Sequence, residues 1–171
     1  MSIESKTMKT LIAILFIATI LVPIPAFAIN AGDVAPGFSL KDVNGNTVTL
    51  NSFKGMVVFL TFWATWCPSC REELPDLNAL QRKYADKGFT VLSICIESSD
   101  SLVANYLKKH TVTFPVLVDK EGAVAEAFRF SGLPVSFMVG KDGIIRHKYS
   151  GYDKGSFTLI ELEITDLLNK Q

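Results

Sequence analysis

The sequence predicts an α/β domain, a mixed central sheet with helices on both faces and a hairpin extension on its N-terminal side. Three observations carry that expectation. From Met56 onward, apolar β-branched runs alternate with segments of helical periodicity. Late in the chain, PVSFMVG (134–140) and IIRHKYSG (144–151) are separated only by Lys141-Asp142-Gly143, so they must pair antiparallel. Ahead of all these, Asn44-Gly45 stands between two short alternating segments, a hairpin signal.

The elements follow in order. APGFSLKDVNGNTVTLNSFKG (35–55) holds the first hairpin, and MVVFLTFW (56–63) is a continuous apolar run suited to a strand buried on both faces. After Cys67 the pattern turns helical: Leu74, Leu77, Leu80 and Tyr84 recur at three- and four-residue spacing, and Gly88 is the expected stop. Pro75 lies inside this helix and is expected to kink it, because it lacks an N–H and crowds the preceding turn. FTVLSICIE (89–97) reads as a second buried strand, with Val91, Ser93, Cys95 and Glu97 on one face. Ser99 or Asp100 is expected to cap the helix SLVANYLKKH. FPVLVD (114–119) is a third strand and EGAVAEAF a short helix. The closing helix, GSFTLIELEITDLLNK, has an apolar face of Phe157, Ile160, Ile164, Leu167 and Leu168.

The first 28 residues read differently. Lys6 and Lys9 precede the apolar run Leu11 to Val22, and PIPAFA ends with Ala26 and Ala28 in Ala-x-Ala spacing. That is the layout of a cleavable signal peptide, the alternative being an uncleaved leader that anchors the chain. The division expected is residues 1–28 as leader and 29–171 as one domain, periplasmic or otherwise extracytoplasmic. The whole chain has 17 basic and 17 acidic residues. No charge block suggests a nucleic-acid partner.

Export bears on the three cysteines, since disulfides persist outside the cytoplasm. A bond across the two-residue gap of Cys67-Pro68-Ser69-Cys70 constrains the unfolded chain little, so it makes a poor staple. Zinc would need two further ligands, and Cys95, His110 and His147 are scattered without paired spacing. A redox pair remains. Cys67 falls where a buried strand gives way to a helix, whose unpaired N–H groups and dipole stabilise a thiolate. Pro68 suits the first helical turn. Cys70, one turn in, is expected to be the more buried, resolving sulfur. Cys95 reads as a core residue.

FWATWCPSC followed by REELPDL resembles the thioredoxin superfamily, and specifically its exported TlpA/ResA-like thiol–disulfide oxidoreductases. The resemblance extends to APGFSLKDVNGNTVTLNSFKG and SGLPVSFMVGKDG, and so covers nearly all of residues 29–171. It implies a thioredoxin-like fold and a cis bond between Leu133 and Pro134, beside the cysteine pair. Backbone groups next to Pro134 would pair with a client segment, and Trp66, Pro68 and Leu133 would meet it. Trp66 would also shield the disulfide. Thr61 stands where cytoplasmic thioredoxins carry a buried Asp. Glu97, just after the second buried strand, is then the candidate for proton exchange with Cys70.

The implied activity is reduction of client disulfides, with cytochrome c maturation or metal-site cysteines as settings. The electron donor would be a membrane-bound thiol protein. No cofactor, metal or nucleic acid is expected, and the chain is expected to be a monomer. Direction is not written in the motif: potentials in this superfamily run from about −270 to about −120 mV, which leaves an oxidase or isomerase open. A thiol peroxidase is a further alternative, although Ala64 occupies the slot where those enzymes place a Thr. A copper-binding chaperone is the non-catalytic one.

Overall fold

Two apolar runs make the middle of the sheet. In a computed structural model, which describes residues 28–170, they form β3 (Val57–Trp63) and β4 (Phe89–Cys95), and every residue of both is buried. They lie parallel and in register from Val57 opposite Phe89 to Trp63 opposite Cys95. β5 (Val116–Val118) continues the parallel set beyond β4. On the other side of β3, β6 (Val135–Val139) and β7 (Ile145–Ser150) form the expected antiparallel hairpin. The N-terminal hairpin, β1 (Ser39–Asp42) and β2 (Thr47–Thr49), joins the far edge antiparallel to β5. The strand order is β2-β1-β5-β4-β3-β6-β7. The expected leader, except Ala28, lies outside the described residues.

Helices cover both faces. On one, α1 (Pro68–Tyr84), α2 (Asp100–Leu107) and α4 (Phe157–Asn169) place Leu74, Leu77, Val103, Ile160 and Ile164 against Phe59, Trp63, Val91 and Cys95. On the other, α3 (Ala123–Phe128) places Val124 and Phe128 against Leu60, Phe62, Ile94 and Phe137. Alternation along β3 and β4 therefore divides the core as the sequence pattern requires.

Several boundaries differ from expectation. α1 runs through Pro75 to Tyr84, and a short 3₁₀ turn leads to Gly88, whose φ of 86° is a left-handed conformation that glycine adopts freely. β4 stops at Cys95: the Ile96 N–H still bonds to the Trp63 carbonyl (2.8 Å), and the chain then leaves the sheet. Ser99 takes the cap position of α2, but its hydroxyl pairs with that of Ser101 at 2.7 Å rather than with the helix backbone. His147 stacks on Tyr149 with ring centres 4.5 Å apart and lies 4.0 Å from a Glu163 carboxylate oxygen. Among the described residues no helix is long and apolar enough to cross a membrane.

Phe62 anchors the face away from α1, packing on Phe128, Phe130 and Phe137 with ring centres 4.7–6.1 Å apart. Phe62→Ala is expected to cost about 3–5 kcal/mol through lost burial and the cavity left behind. Urea unfolding of the oxidised protein measures this.

Candidate active site

The site is built where β3 hands over to α1. Trp63 ends the strand, and the chain turns through Ala64, Thr65 and Trp66, with the Cys67 N–H bonded to the Ala64 carbonyl at 3.1 Å. Cys67 is extended (φ −88°, ψ 112°) and is the N-cap of α1, with Pro68 in the first turn. Its sulfur accepts the Cys70 N–H at 3.3 Å and lies 3.6 Å from the Ser69 hydroxyl. Helix-end donors thus converge on the sulfur expected to be the thiolate, and no acidic side chain in the first turn opposes them. Cys67 and Cys70 are disulfide-bonded, their Cα atoms 5.3 Å apart. Cys67 is 4% exposed and Cys70 fully buried, the asymmetry the spacing anticipates.

Sheet register brings the later loop alongside. Val135 pairs with Phe62, so the preceding residue, Pro134, lies at the same edge of the sheet as Trp63 and the cysteine turn. The Leu133–Pro134 bond is cis and Pro134 is buried. The Pro134 carbonyl accepts the Gly151 N–H (2.8 Å), but no backbone bond among the described residues engages the N–H or C=O of Leu133. That peptide group is open to an incoming extended segment. The two tryptophans diverge. Trp63 is buried, its indole donating to the Ser93 hydroxyl at 2.6 Å, whereas Trp66 is 66% exposed. Next in sequence to the buried Cys67, the Trp66 ring presents an apolar surface to solvent.

A carboxyl the sequence reading missed lies beneath the pair. Glu73 is 4% exposed, one helical turn beyond Cys70 on the same face of α1. Thr61 on β3 and Ser136 on β6 each donate to its carboxylate over long contacts of 3.4 Å. Ser136 has one proton to share and lies closer to the Thr61 oxygen, at 2.9 Å. Burial therefore dominates, and Glu73 is pushed up from 4.5 to about 7, against the lowering effect of the two hydroxyls. The signal was present: Glu73 is four residues before Leu77 and seven before Leu80, on the buried stripe itself.

Glu97, expected to face Cys70, accepts a hydrogen bond from the Thr65 hydroxyl at the mouth of the turn. Its charge acts on Cys95, whose thiol is pushed up to about 12, first by burial and then by Glu97, with the Thr65 N–H opposing both. Cys95 is a buried free thiol packed in the same cluster as the disulfide. Among the described residues no group of three or more His, Cys, Asp or Glu is placed to hold a metal. A hollow of about 390 Å³ between Phe38, Leu50, Phe53 and Gly140 lies at the start of β3, roughly 20 Å from the cysteines along the strand. It plays no part in their chemistry.

The AhpC/TSA family model matches residues 31–148. The chain is 38% identical over 120 residues to the thiol-disulfide oxidoreductase ResA of Bacillus thuringiensis, covering 70% of this chain and 69% of that protein. Against the Bacillus subtilis protein of the same name, identity is 32% over 142 residues, 83% of this chain and 76% of the other. A crystal structure from Chlorobium tepidum, assigned as a thiol:disulfide interchange protein DsbE, superposes with a TM-score of 0.80 at 30% identity, covering 83% of this chain and all of that one.

The Glu73 shift has a thermodynamic consequence. Between pH 4.5 and about 7 the folded protein holds a proton on Glu73 that the unfolded chain has lost, so stability falls as pH rises through that window. Glu73→Gln removes the effect. Its stability relative to wild type is expected to rise by roughly 3 kcal/mol between pH 4 and pH 8. Chemical denaturation of both oxidised proteins across that range measures the difference.

Proposed function

The chain belongs to the AhpC/TSA family and, within the thioredoxin superfamily, to its ResA-like thiol–disulfide oxidoreductases, and from that premise we propose how its residues work and on what. The observation that carries the reading is a disulfide whose outer sulfur caps a helix while a buried carboxyl sits one turn beneath the inner one. In the reduced protein the Cys67 thiolate attacks a client disulfide, giving a Cys67–client bond and one client thiolate. Cys70 loses its proton and attacks Cys67. The Cys67–Cys70 disulfide forms and the client leaves as a dithiol, two electrons richer. A dithiol donor, proposed to be a membrane-bound thiol protein, then restores the pair.

Glu73 is the group we assign to take the Cys70 proton, since its affinity for a proton near neutral pH suits the transfer. Glu97 holds Thr65, and with it the turn that carries Cys67. Clients dock with an extended segment against the open Leu133 peptide, over Pro134, with Trp66 and Pro68 as apolar contacts. Their proposed class is polypeptides with paired cysteines, such as the C-x-x-C-H segment of an apocytochrome c. A peroxidase reading finds less support: Ala64 fills the slot for an activating Thr, and the Thr65 hydroxyl is committed to Glu97. Work outside the cytoplasm requires export, which the Lys6 to Ala28 segment would direct.

Four measurements test this. The Cys67–Cys70 potential is expected at or below about −230 mV; a value above about −150 mV would make the protein an oxidant. Cys70→Ser is expected to accumulate a mixed disulfide with an oxidised C-x-x-C-H peptide, and Cys67→Ser none. Removal of the Glu73 carboxyl should change the pH dependence of client release, while Glu97→Gln leaves it in place. N-terminal sequencing of the exported protein is expected to begin at Ile29; retention of Met1 would favour an anchored leader.

A further inference from the structure

Two basic doublets, Arg82-Lys83 and Lys108-Lys109, read from the sequence as separate solvated faces. The fold sets Arg82 of the first opposite His110, the residue that follows the second. Arg71, Asn78 and Arg82 form a stripe along α1, and the chain leaving α2 lays His110 and Thr111 opposite them, enclosing a hollow of about 310 Å³. Arg71 follows Cys70 directly, so the groove shares its helix with the active-site disulfide and starts within the same turn.

The far wall is fixed. Asn78, 9% exposed, donates to the Thr111 carbonyl at 3.1 Å and accepts from the Thr113 N–H at 2.8 Å and its hydroxyl at 3.0 Å. Tyr106 stacks on His110 with ring centres 4.4 Å apart, and on its other side packs against Trp63 at 5.4 Å. The groove is thus tied to the strand that carries the site. Its charge is one-sided. Two guanidinium groups and an imidazole line it, no carboxylate does, and no ion pair among the described residues engages Arg71 or Arg82. Glu72 and Asp86, their nearest acidic neighbours in sequence, are exposed and outside the lining.

We infer that this groove docks an acidic segment of the polypeptide whose disulfide Cys67 reduces, a step that rests on the reductase reading above. A single exposed ion pair contributes little. Two guanidinium groups lining one hollow on the helix that carries the cysteines act differently. They orient the client and speed its encounter, and guanidinium groups accept carboxylates in a two-pronged geometry that lysine lacks. The chain as a whole has a formal net charge of zero, so the attraction is local and not a general affinity for polyanions.

The test uses the reduced protein and two synthetic peptides, each closed by one intramolecular disulfide. One carries a run of glutamates on one flank and the other has glutamines there. The second-order rate constant for each peptide, read in single turnover as oxidation of the protein dithiol, is divided by that for bis(2-hydroxyethyl) disulfide, a small neutral substrate. The glutamate peptide is expected to be favoured by about tenfold at low ionic strength, the gap closing at roughly 0.5 M NaCl. In Arg71→Gln/Arg82→Gln, which keeps good helix formers at both positions and whose helix content is checked by far-UV circular dichroism, the preference should disappear. Equal wild-type rates for the two peptides, or a preference that survives in the variant, would overturn the inference. Failure to reduce any of the three disulfides would instead sink the reductase reading.

Discussion

The site depends on β3 being buried on both faces and hydrogen-bonded on both sides. A strand in that position has no freedom to slide, because a one-residue slip would turn Phe62 and Thr61 toward the wrong layers. Its end is therefore fixed, and so is the start of α1 five residues later. Cys67 inherits its place from this register, as the N-cap of that helix. The same register sets Val135 opposite Phe62 and delivers the Leu133–Pro134 peptide to the sheet edge where the cysteines turn. One constraint thus positions both Cys67 and the peptide proposed to meet a client.

The cost of that arrangement falls on Glu73. A carboxyl in the core between a helix and two strands would ordinarily be replaced by an apolar side chain, since two weak hydroxyl contacts do not restore its lost hydration. Keeping it there costs roughly 3 kcal/mol at neutral pH. A thiol as buried as Cys70 is removed from bulk solvent, and the proton-acceptor role proposed for Glu73 would offset that penalty in the chemistry. Thr61, occupying the position of the buried Asp in cytoplasmic thioredoxins, supplies a hydroxyl rather than the charge. The acid has moved from the strand to the helix.

Most of the fold was legible because its signals are local. The run VVFLTFW could be nothing but a central strand, and Leu74, Leu77, Leu80 and Tyr84 gave the buried face of α1 correctly. The cysteine pair was legible for the same reason: strand, cap, proline and spacing are all contiguous. Glu97 and Trp66 were harder, since the partner of one and the exposure of the other depend on how the turn at Ala64–Trp66 folds back on residues thirty positions away. Glu73 was overlooked because a glutamate in the string REEL looks solvated. Only extending the leucine stripe back by one turn places it inside. Long-range pairs such as Asn78 with Thr113 leave no mark in sequence, so the groove they hold open had none either.

A third thiol in the same cluster as a reactive disulfide could scramble it, and the structure opposes this by physics more than by distance. Exchange requires a thiolate. Burial, together with the nearby negative charge of Glu97, pushes the Cys95 thiol up to about 12, which leaves roughly one molecule in 10⁵ ionised at neutral pH. Cys67 sits in different surroundings, at the helix end, with the Cys70 N–H on its sulfur and no acidic side chain in the first turn. Two cysteines packed in one cluster thus have opposed electrostatic surroundings. Glu97, by bonding Thr65 and facing Cys95, acts on both sides of that difference: it steadies the turn that presents Cys67 and holds the spare thiol protonated.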